Sequence, residues 1–168
     1  MAELERYNLK IKELIQDQDT KLLYDFVLAN TDYFTDYQQI SPSIEEIDDE
    51  FFLDIPANVR LENKKILAIY QDEKMIGFVD LLYHYPDKKT CCLGLFVLDS
   101  LVRHQGLGQD IYSLIEEMIW KEGFSRIFLG VLTENQPAKK MWQKQGYRKI
   151  EEIVTSYGKQ MNMEKVKI

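Results

Sequence analysis

The chain has 168 residues, of which 45% are hydrophobic and 29% are charged. This length and composition exclude wholesale disorder and fibrous structure, and they favour one domain over residues 1–168 with a single core. The 28 acidic residues outnumber the 21 basic ones, which gives a net charge of −7. That balance argues against a nucleic-acid partner, because such affinity comes from neutralising phosphates with Lys and Arg.

The two cysteines, Cys91 and Cys92, are adjacent in the sequence. Successive strand residues point to opposite faces, so the pair cannot form a CxxC redox motif or a zinc site, and we expect no metal. The N-terminal segment has no apolar signal region, and no stretch has the length needed to span a bilayer. We therefore expect a cytoplasmic protein with no membrane partner.

The first third of the chain predicts one strand and two helices. Alternating apolar residues predict a strand over Tyr7–Ile15, and helical spacing of apolar residues predicts a helix after Asp19, its N-cap. A second helix is expected to begin near Ser43, with Glu46 in the capping-box position three residues on. Pro56 ends that helix or the loop that follows it.

The remainder predicts strands that alternate with helices. Three strand-like runs come first: Lys65–Gln71, Met75–Tyr83 and Thr90–Leu98. Apolar residues from Ile111 to Ile119 then predict an amphipathic helix that closes at Gly123. The last predicted elements are a strand over Arg126–Leu132, a helix from Pro137 to Gly146, and strands over Tyr147–Ser156 and Lys159–Lys167. This alternation excludes an all-β sandwich and predicts an α/β fold with a mixed sheet.

The segment from Leu95 to Gly108 is the most informative part of the chain, because a strand runs through a short loop into glycines that open a long helix. Free N–H groups and the dipole at a helix start favour phosphate. Gly106 and Gly108 remove Cβ atoms that would hold a pyrophosphate away from the backbone. Arg103 and His104 add positive charge beside the loop. The pattern predicts a diphosphate site; the alternative is a helix start that needs glycine for close packing.

Two familiar phosphate loops fit this segment poorly. A Rossmann fingerprint requires a third glycine where Ile111 stands, and no βαβ unit precedes it. A P-loop requires Gly-Lys-Ser/Thr where the chain has Gln109 and Asp110 after its last glycine. A nucleotide-binding redox protein is therefore the weakest of the functions that the loop allows.

The segment Arg103-His104-Gln105-Gly106-Leu107-Gly108 resembles the Gln/Arg-x-x-Gly-x-Gly/Ala signature of the GNAT acetyltransferase superfamily. A second block, formed by Asn135, Ala138 and Met141–Tyr147, is similar to the family's Asn-x-x-Ala…(Tyr/Trp)-Glu-Lys-x-Gly-Phe pattern. The resemblance covers essentially the whole chain. It implies the GNAT fold, which is an α/β fold with a mixed, mostly antiparallel sheet, splayed central strands and about four flanking helices.

The resemblance also implies acetyl-CoA as the cosubstrate. The backbone amides from Gln105 to Gln109 would wrap its pyrophosphate, and the edge of the preceding strand would pair with its pantetheine arm. One N–H of that strand would polarise the thioester carbonyl. Asn135 would hydrogen-bond the arm, a role compatible with capping a helix. The implied cofactor-binding residues are Phe96, Val97, Leu98, Arg103, His104, Gln105, Gly106, Leu107, Gly108, Gln109, Asn135 and Trp142.

The departures from the family pattern fall on the catalytic groups. Many members carry a tyrosine, the general acid, where this chain has Trp142, and an indole has no proton to give at a useful pKa. Some members carry a glutamate, the general base, where this chain has Gly130. Trp142 then packs as a wall beside the thioester or serves as an ordinary core aromatic.

The candidate general bases are Asp80 and His84. Alternation places both on one face of the strand Met75–Tyr83 and its exit. Burial would raise the pKa of Asp80, and histidine is a common general base in enzymes. Structural roles for both residues, or a water chain as the base, are the alternatives.

Acceptor binding is implied at Tyr33, Phe34 and Tyr37, where members of the family meet their acceptors. Eight acids and no Lys or Arg lie between Asp32 and Asp54. These acids predict attraction for a cationic amine, with a solvated helix face as the alternative.

Two functions of different classes remain open. The first is an N-acetyltransferase that moves an acetyl group to a primary amine of a small molecule or peptide by direct attack, with proximity supplying much of the effect. The second is a catalytically idle acyl-CoA-binding or sensor module of the same fold. The resemblance also allows a homodimer.

Overall fold

The computed structural model describes residues 8–32, 43–103 and 106–168, and the backbone of residues 2–4. Its strands are β1 (Ala2–Leu4), β2 (Leu9–Glu13), β3 (Lys64–Gln71), β4 (Lys74–Tyr83), β5 (Thr90–Leu98), β6 (Arg126–Leu132), β7 (Arg148–Thr155) and β8 (Gly158–Val166). Its α-helices are α1 (Thr20–Ala29), α2 (Leu107–Lys121) and α3 (Gln136–Lys144).

The strands form one sheet in the order β1-β2-β3-β4-β5-β6-β8-β7. Every neighbouring pair is antiparallel except β5 and β6, which run parallel because α2 crosses over between them. The predicted α/β class with a mixed, mostly antiparallel sheet is therefore confirmed.

The N-terminal third differs most from the expectations. β2 covers Leu9–Glu13 only, and it pairs with β1, a strand that no pattern predicted. The second helix is replaced by a 3₁₀ turn over Ile44–Glu46 and a π-helical turn over Asp48–Phe52. Its start is as predicted, because the carboxylate of Glu46 accepts hydrogen bonds from the N–H and hydroxyl of Ser43.

The sheet is covered on both faces, which gives two core clusters. On the α1 face, Phe26 and Phe51 pack edge-on against Phe78. On the α2 face, one side of the long helix is buried, with Ile111 and Ile115 fully covered. This three-layer arrangement buries the apolar face of each helix against the sheet.

The parallel pair at the centre of the sheet is short. Only Thr90–Cys92 of β5 pair with Arg126–Phe128 of β6, after which the two strands diverge. We call the space between residues 93–98 and 129–132 the gap. The predicted splay of the central strands is confirmed by this divergence.

A bulge lies on β5 at the narrow end of the gap. Asp80 of β4 pairs with Leu95 and the next residue, Leu81, pairs with Leu93, so that Gly94 is the extra residue. The bulge turns Gly94 towards the α1 face, where an ideal Cβ would lie 3.6 Å from the carboxyl carbon of Asp80.

Within the described residues, no helix has the length and apolar character required to cross a membrane.

Candidate active site

The gap exposes backbone on both of its edges. Residues 93–98 pair with β4 and residues 129–132 pair with β8, so each strand has one edge that no described strand takes up. Gly94 and Gly130 are exposed on these opposite edges. Unpaired N–H and C=O groups of this kind fit an extended amide chain laid along the strand.

The three strand residues predicted to meet the cofactor play different parts. Val97 is fully buried on the α1 face, and Phe96 is half-buried on the α2 face. Leu98 is half-buried, and its carbonyl oxygen accepts a hydrogen bond from Nε of Arg103 at 2.8 Å. A ligand in the gap would therefore meet the backbone of this strand more than its side chains.

The glycine loop leaves open space above the start of α2. Gly106 has φ 77°, a left-handed conformation that favours glycine. Among the described residues nothing lies within 4 Å of the position its Cβ would take, and a Cβ on Gly108 would make only an ordinary 3.6 Å contact with Leu98. Close packing therefore does not explain these glycines, and the open loop fits an anionic diphosphate group. Leu107 between them is buried, whereas His104 and Gln105 lie outside the described residues.

Arg103, which was predicted to add positive charge beside the phosphate, makes hydrogen bonds to the strand and to residues at and after the end of α1. Its Nε donates to the carbonyl of Leu98, and its terminal nitrogens lie 3.4 Å from Asp32 Oδ2 and Asn30 Oδ1. Asn30 is fully buried and also accepts from the N–H of Ser100 at 3.0 Å. Arg103 therefore ties the loop to β5 and to the end of α1, and its contact with a phosphate stays a prediction.

Gln109 is turned towards α3. Its amide donates to Oε1 of Gln145 at 3.0 Å, and Gln145 donates back to Oε1 of Gln109. This reciprocal pair joins the first turn of α2 to the end of α3. The side chain of Gln109 is engaged in this pair. Its backbone N–H lies in the first turn of α2 and is therefore the group that we expect to meet a ligand in the loop.

Asn135 caps α3. Its Oδ1 accepts a hydrogen bond from the N–H of Ala138 at 3.2 Å. The cap uses the oxygen of the side-chain amide, so contact between Nδ2 and a ligand remains a prediction.

Trp142 is a core aromatic that supports the strand edge. It is 6% exposed, and its ring lies edge-on to Tyr112 and Tyr147, with centroids 5.4 Å and 5.3 Å away. The ring of Phe96, on the gap strand, packs against it at 6.4 Å. Trp142 therefore acts on the gap through Phe96.

The two tyrosines beneath Trp142 form a buried pair. The hydroxyls of Tyr112 and Tyr147 lie 2.7 Å apart, and burial raises both of their pKa values. We expect Tyr112→Phe to cost about 1–3 kcal/mol of unfolding free energy, because it leaves a buried hydroxyl without its partner. The double replacement of Tyr112 and Tyr147 by Phe is expected to cost less than the sum of the single changes in urea unfolding. Strictly additive costs would contradict this pairing.

Asp80 lies at the narrow end of the gap and is paired with a lysine. Its side chain is buried, and its two oxygens lie 2.8 Å and 2.9 Å from Nζ of Lys64, which also donates to the carbonyl of Asp54. Burial raises the pKa of Asp80 to about 6, against the lowering effect of Lys64. Gly94 lies between this carboxylate and the gap, and because glycine has no side chain, only backbone separates the two.

His84 does not share the face of Asp80, and that prediction is wrong. Its φ of 59° breaks the strand alternation at the exit of β4. The ring packs on Phe124, a member of the α2-face core, and its Nδ1 lies 2.8 Å from the carbonyl oxygen of Lys88. Asp80 alternates with Val79 and Leu81, which face α2, so it lies on the α1 face.

Gly130 leaves room that a second side chain occupies. A Cβ at this position would collide with the side-chain amide of Gln160, which therefore lies over Gly130. Nε2 of Gln160 donates to Oδ1 of Asn162 at 2.8 Å, and Nδ2 of Asn162 donates to Oε1 of Glu151 at 3.1 Å. These three residues form what we call the amide chain.

The predicted acceptor residues Tyr33, Phe34 and Tyr37 lie outside the described residues. Part of the acidic segment has a structural role, since Asp48 accepts hydrogen bonds from Thr20 and Gln16, and Glu46 accepts from Ser43. These acids are therefore not all available to a cation.

Sequence reasoning missed Lys64 and Gln160. Continuing the register of the tight turn at residues 72–74 would place Lys65, not Lys64, on the face of Asp80. The bulge between Ile69 and Tyr70 brings Ile66 opposite Asp80 instead, and Lys64 lies on that same face. Gln160 carried no local signal either, because its place over Gly130 depends on the pairing of β6 with β8.

Comparisons with known proteins identify the family of this chain and other proteins that share its fold. The family model described as Acetyltransferase (GNAT) family matches residues 25–147. The chain belongs to the GNAT acetyltransferase family. No match emerges from a comparison with curated protein sequences.

Solved structures share the fold at low identity. An acetyltransferase from Thermus thermophilus aligns with a TM-score of 0.75 and 18% identity over 94% of this chain and 96% of that one. A spermidine N-acetyltransferase from Vibrio cholerae in complex with CoA and spermine aligns at 0.73 and 14% over 95% of each chain. An aminoglycoside acetyltransferase in complex with coenzyme A aligns at 0.74 and 14% over 94% of each.

Proposed function

We propose that this protein is an acetyl-CoA-dependent N-acetyltransferase that acts on a primary amine of a small molecule or peptide. The observation that carries the proposal is the gap, where two exposed strand edges meet a buried carboxylate at Gly94. When bound, acetyl-CoA supplies an activated thioester whose acyl carbon an amine attacks as the C–S bond breaks.

The residues along the gap would hold and orient the two substrates. The β5 edge would bind the pantetheine amides, and backbone N–H groups from Gly106 to Gln109 would bind the diphosphate. Backbone N–H groups in the bulge around Gly94 would polarise the acyl oxygen. Such positioning lowers the barrier because the amine is held close to the acyl carbon.

Asp80 would take the proton that leaves the amine nitrogen. Its pKa of about 6 keeps it ionised at neutral pH, yet closer to the pKa that general bases use than an exposed aspartate. Lys64 would hold the carboxylate in place. We do not assign this role to His84, because its ring packs on Phe124.

A cationic acceptor is supported by two kinds of observation. The chain has a net charge of −7, and the gap is flanked by acceptor groups on the side of Asp80 and on the side of the amide chain. Two structural neighbours are a spermidine N-acetyltransferase and an aminoglycoside acetyltransferase, whose names describe polycationic amines.

The alternative is an idle acyl-CoA-binding module. Trp142 and Gly130 favour it, because neither provides a group that exchanges protons. The two functions differ in turnover and not in cofactor affinity.

Two measurements test the proposal. Acetyl-CoA is expected to raise the melting temperature in a dose-dependent way, and the absence of a shift at millimolar acetyl-CoA contradicts the cofactor assignment. Release of free CoA thiol is then followed with polyamines, aminoglycosides, amino acids and peptides. Turnover with any of them excludes the idle module, whereas stabilisation by acetyl-CoA without turnover supports it.

A further inference from the structure

The amide chain lies on the same face of the sheet as Asp80. Residues that pair across neighbouring strands lie on the same face of the sheet. Leu82 shares the face of Asp80 and pairs with Cys92 of β5, which in turn pairs with Phe128 of β6. Phe128 pairs with Glu164, and Gly130 pairs with Asn162, so the even-numbered residues of β8 continue this face. The gap therefore has Asp80 on one side and the amide chain on the other.

The hydrogen bonds of the amide chain all run in one direction. Gln160 donates to Asn162, and Asn162 donates to the carboxylate of Glu151. The amide N–H groups thus point towards Glu151, and the carbonyl Oε1 of Gln160 is the end of the chain that accepts. The carboxylate of Glu151, at the other end of the amide chain, polarises both hydrogen bonds cooperatively. This polarisation makes Oε1 of Gln160 a better hydrogen-bond acceptor.

Among the described residues, no neighbouring cation neutralises the charge of Glu151. In the described part of the chain Glu151 forms no ion pair, and its side chain is exposed. Arg148 on the same face binds Glu164 at 2.9 Å. Asn162 is 4% exposed, so the chain has a buried middle with an exposed carboxylate at one end and a half-buried amide at the other.

We propose that the amide chain is the acceptor-binding wall of the gap and that it selects amines with two ammonium groups. Oε1 of Gln160 accepts a hydrogen bond from the amine nitrogen of the acceptor that lies nearer the gap. Glu151 binds the ammonium group at the other end of the acceptor. The spacing suits a short diamine, because Gln160 and Asn162 are two residues apart on β8, about 7 Å, and Glu151 lies opposite Asn162. This inference rests on the proposed function and narrows its substrate class.

A matched pair of amines tests the inference by titration calorimetry on the full chain saturated with CoA at low ionic strength. The probes are 1,4-diaminobutane and butylamine, which differ by one ammonium. We expect the diamine to bind at least about tenfold more tightly to the wild type, because a positioned carboxylate discriminates charge. Glu151→Gln is expected to abolish this preference, and Gln160→Met is expected to weaken both amines.

Glu152→Gln is the control for the same change of charge. Glu152 pairs with Met161 on the opposite face and lies 3.6 Å from Lys149, so its replacement is expected to leave both affinities unchanged. Equal affinities of the wild type for the two amines overturn the inference, as does an equal effect of Glu151→Gln and Glu152→Gln. If CoA binds and amines are acetylated but no diamine preference exists, the inference alone fails. If CoA does not bind, the proposed function fails with it.

Discussion

Asp80→Asn is expected to lower kcat/KM for the acceptor by roughly 10²–10⁴-fold, the range that general bases contribute. The change keeps the shape of the side chain and an oxygen that accepts from Lys64, so the fold is expected to survive. In the wild type, kcat/KM is expected to rise as the pH increases through about 6, because only ionised Asp80 accepts the proton. In Asp80→Asn this limb disappears from the pH–rate profile.

Lys64→Met gives the control for this assignment. Lys64 lowers the pKa of Asp80, so its removal is expected to shift the limb to higher pH while the maximal rate is retained above the limb. A merely structural ion pair would lower stability in both variants without moving the limb. An unchanged limb in Lys64→Met, or full activity in Asp80→Asn, contradicts Asp80 as the base.

The raised pKa of Asp80 also affects stability. Because the folded state binds this proton more tightly than the unfolded chain does, the stability that the protonated group contributes is present below a pH of about 4. It is lost as the pH rises to about 6. Asp80→Asn is expected to flatten the unfolding free energy over this window in urea titrations.

Gly108→Glu is expected to weaken acetyl-CoA binding by about 100-fold or more, because it places bulk and a like charge in the first turn of α2, beside the diphosphate. A glutamate in the first turn of a helix interacts favourably with the dipole, so the helix itself is expected to form. Calorimetric titration with acetyl-CoA measures the loss, and the melting temperature without ligand reports the fold.

Two variants make the Gly108→Glu result specific. Gly108→Ala adds a Cβ in ordinary 3.6 Å contact with Leu98, and we expect little change in folding. Cys91→Ala removes a fully buried sulfur from the α2-face core, so it is expected to lower stability and leave acetyl-CoA affinity nearly unchanged. Equal acetyl-CoA affinity in Gly108→Glu and the wild type contradicts the loop assignment.

Local patterns predicted most of the elements after residue 64. β5 and β6 have the predicted bounds, Thr90–Leu98 and Arg126–Leu132, because each run of large apolar residues is bounded by polar turns. The helix over Ile111–Ile119 begins earlier than its apolar repeat, at Leu107, because the left-handed Gly106 caps it.

Features that depend on distant pairing could not be read from local patterns. The bulge at Gly94 arises from the register of β4 against β5, and the amide over Gly130 arises from the register of β8 against β6. The same limit explains His84, since a positive φ at the end of β4 moved its ring to the other face. The sequence predicted Asp80 as a candidate base, but it did not predict the ion pair of Asp80 with Lys64.

The most direct test of acetyl transfer measures both products of one reaction. Wild-type protein is incubated with acetyl-CoA and an acceptor amine, and free CoA thiol and N-acetylated amine are quantified by mass spectrometry. We predict equal amounts of the two products in the wild type and neither in Gly108→Glu. Thiol release without acetylated amine, or no release with any amine while acetyl-CoA binds, would contradict an N-acetyltransferase.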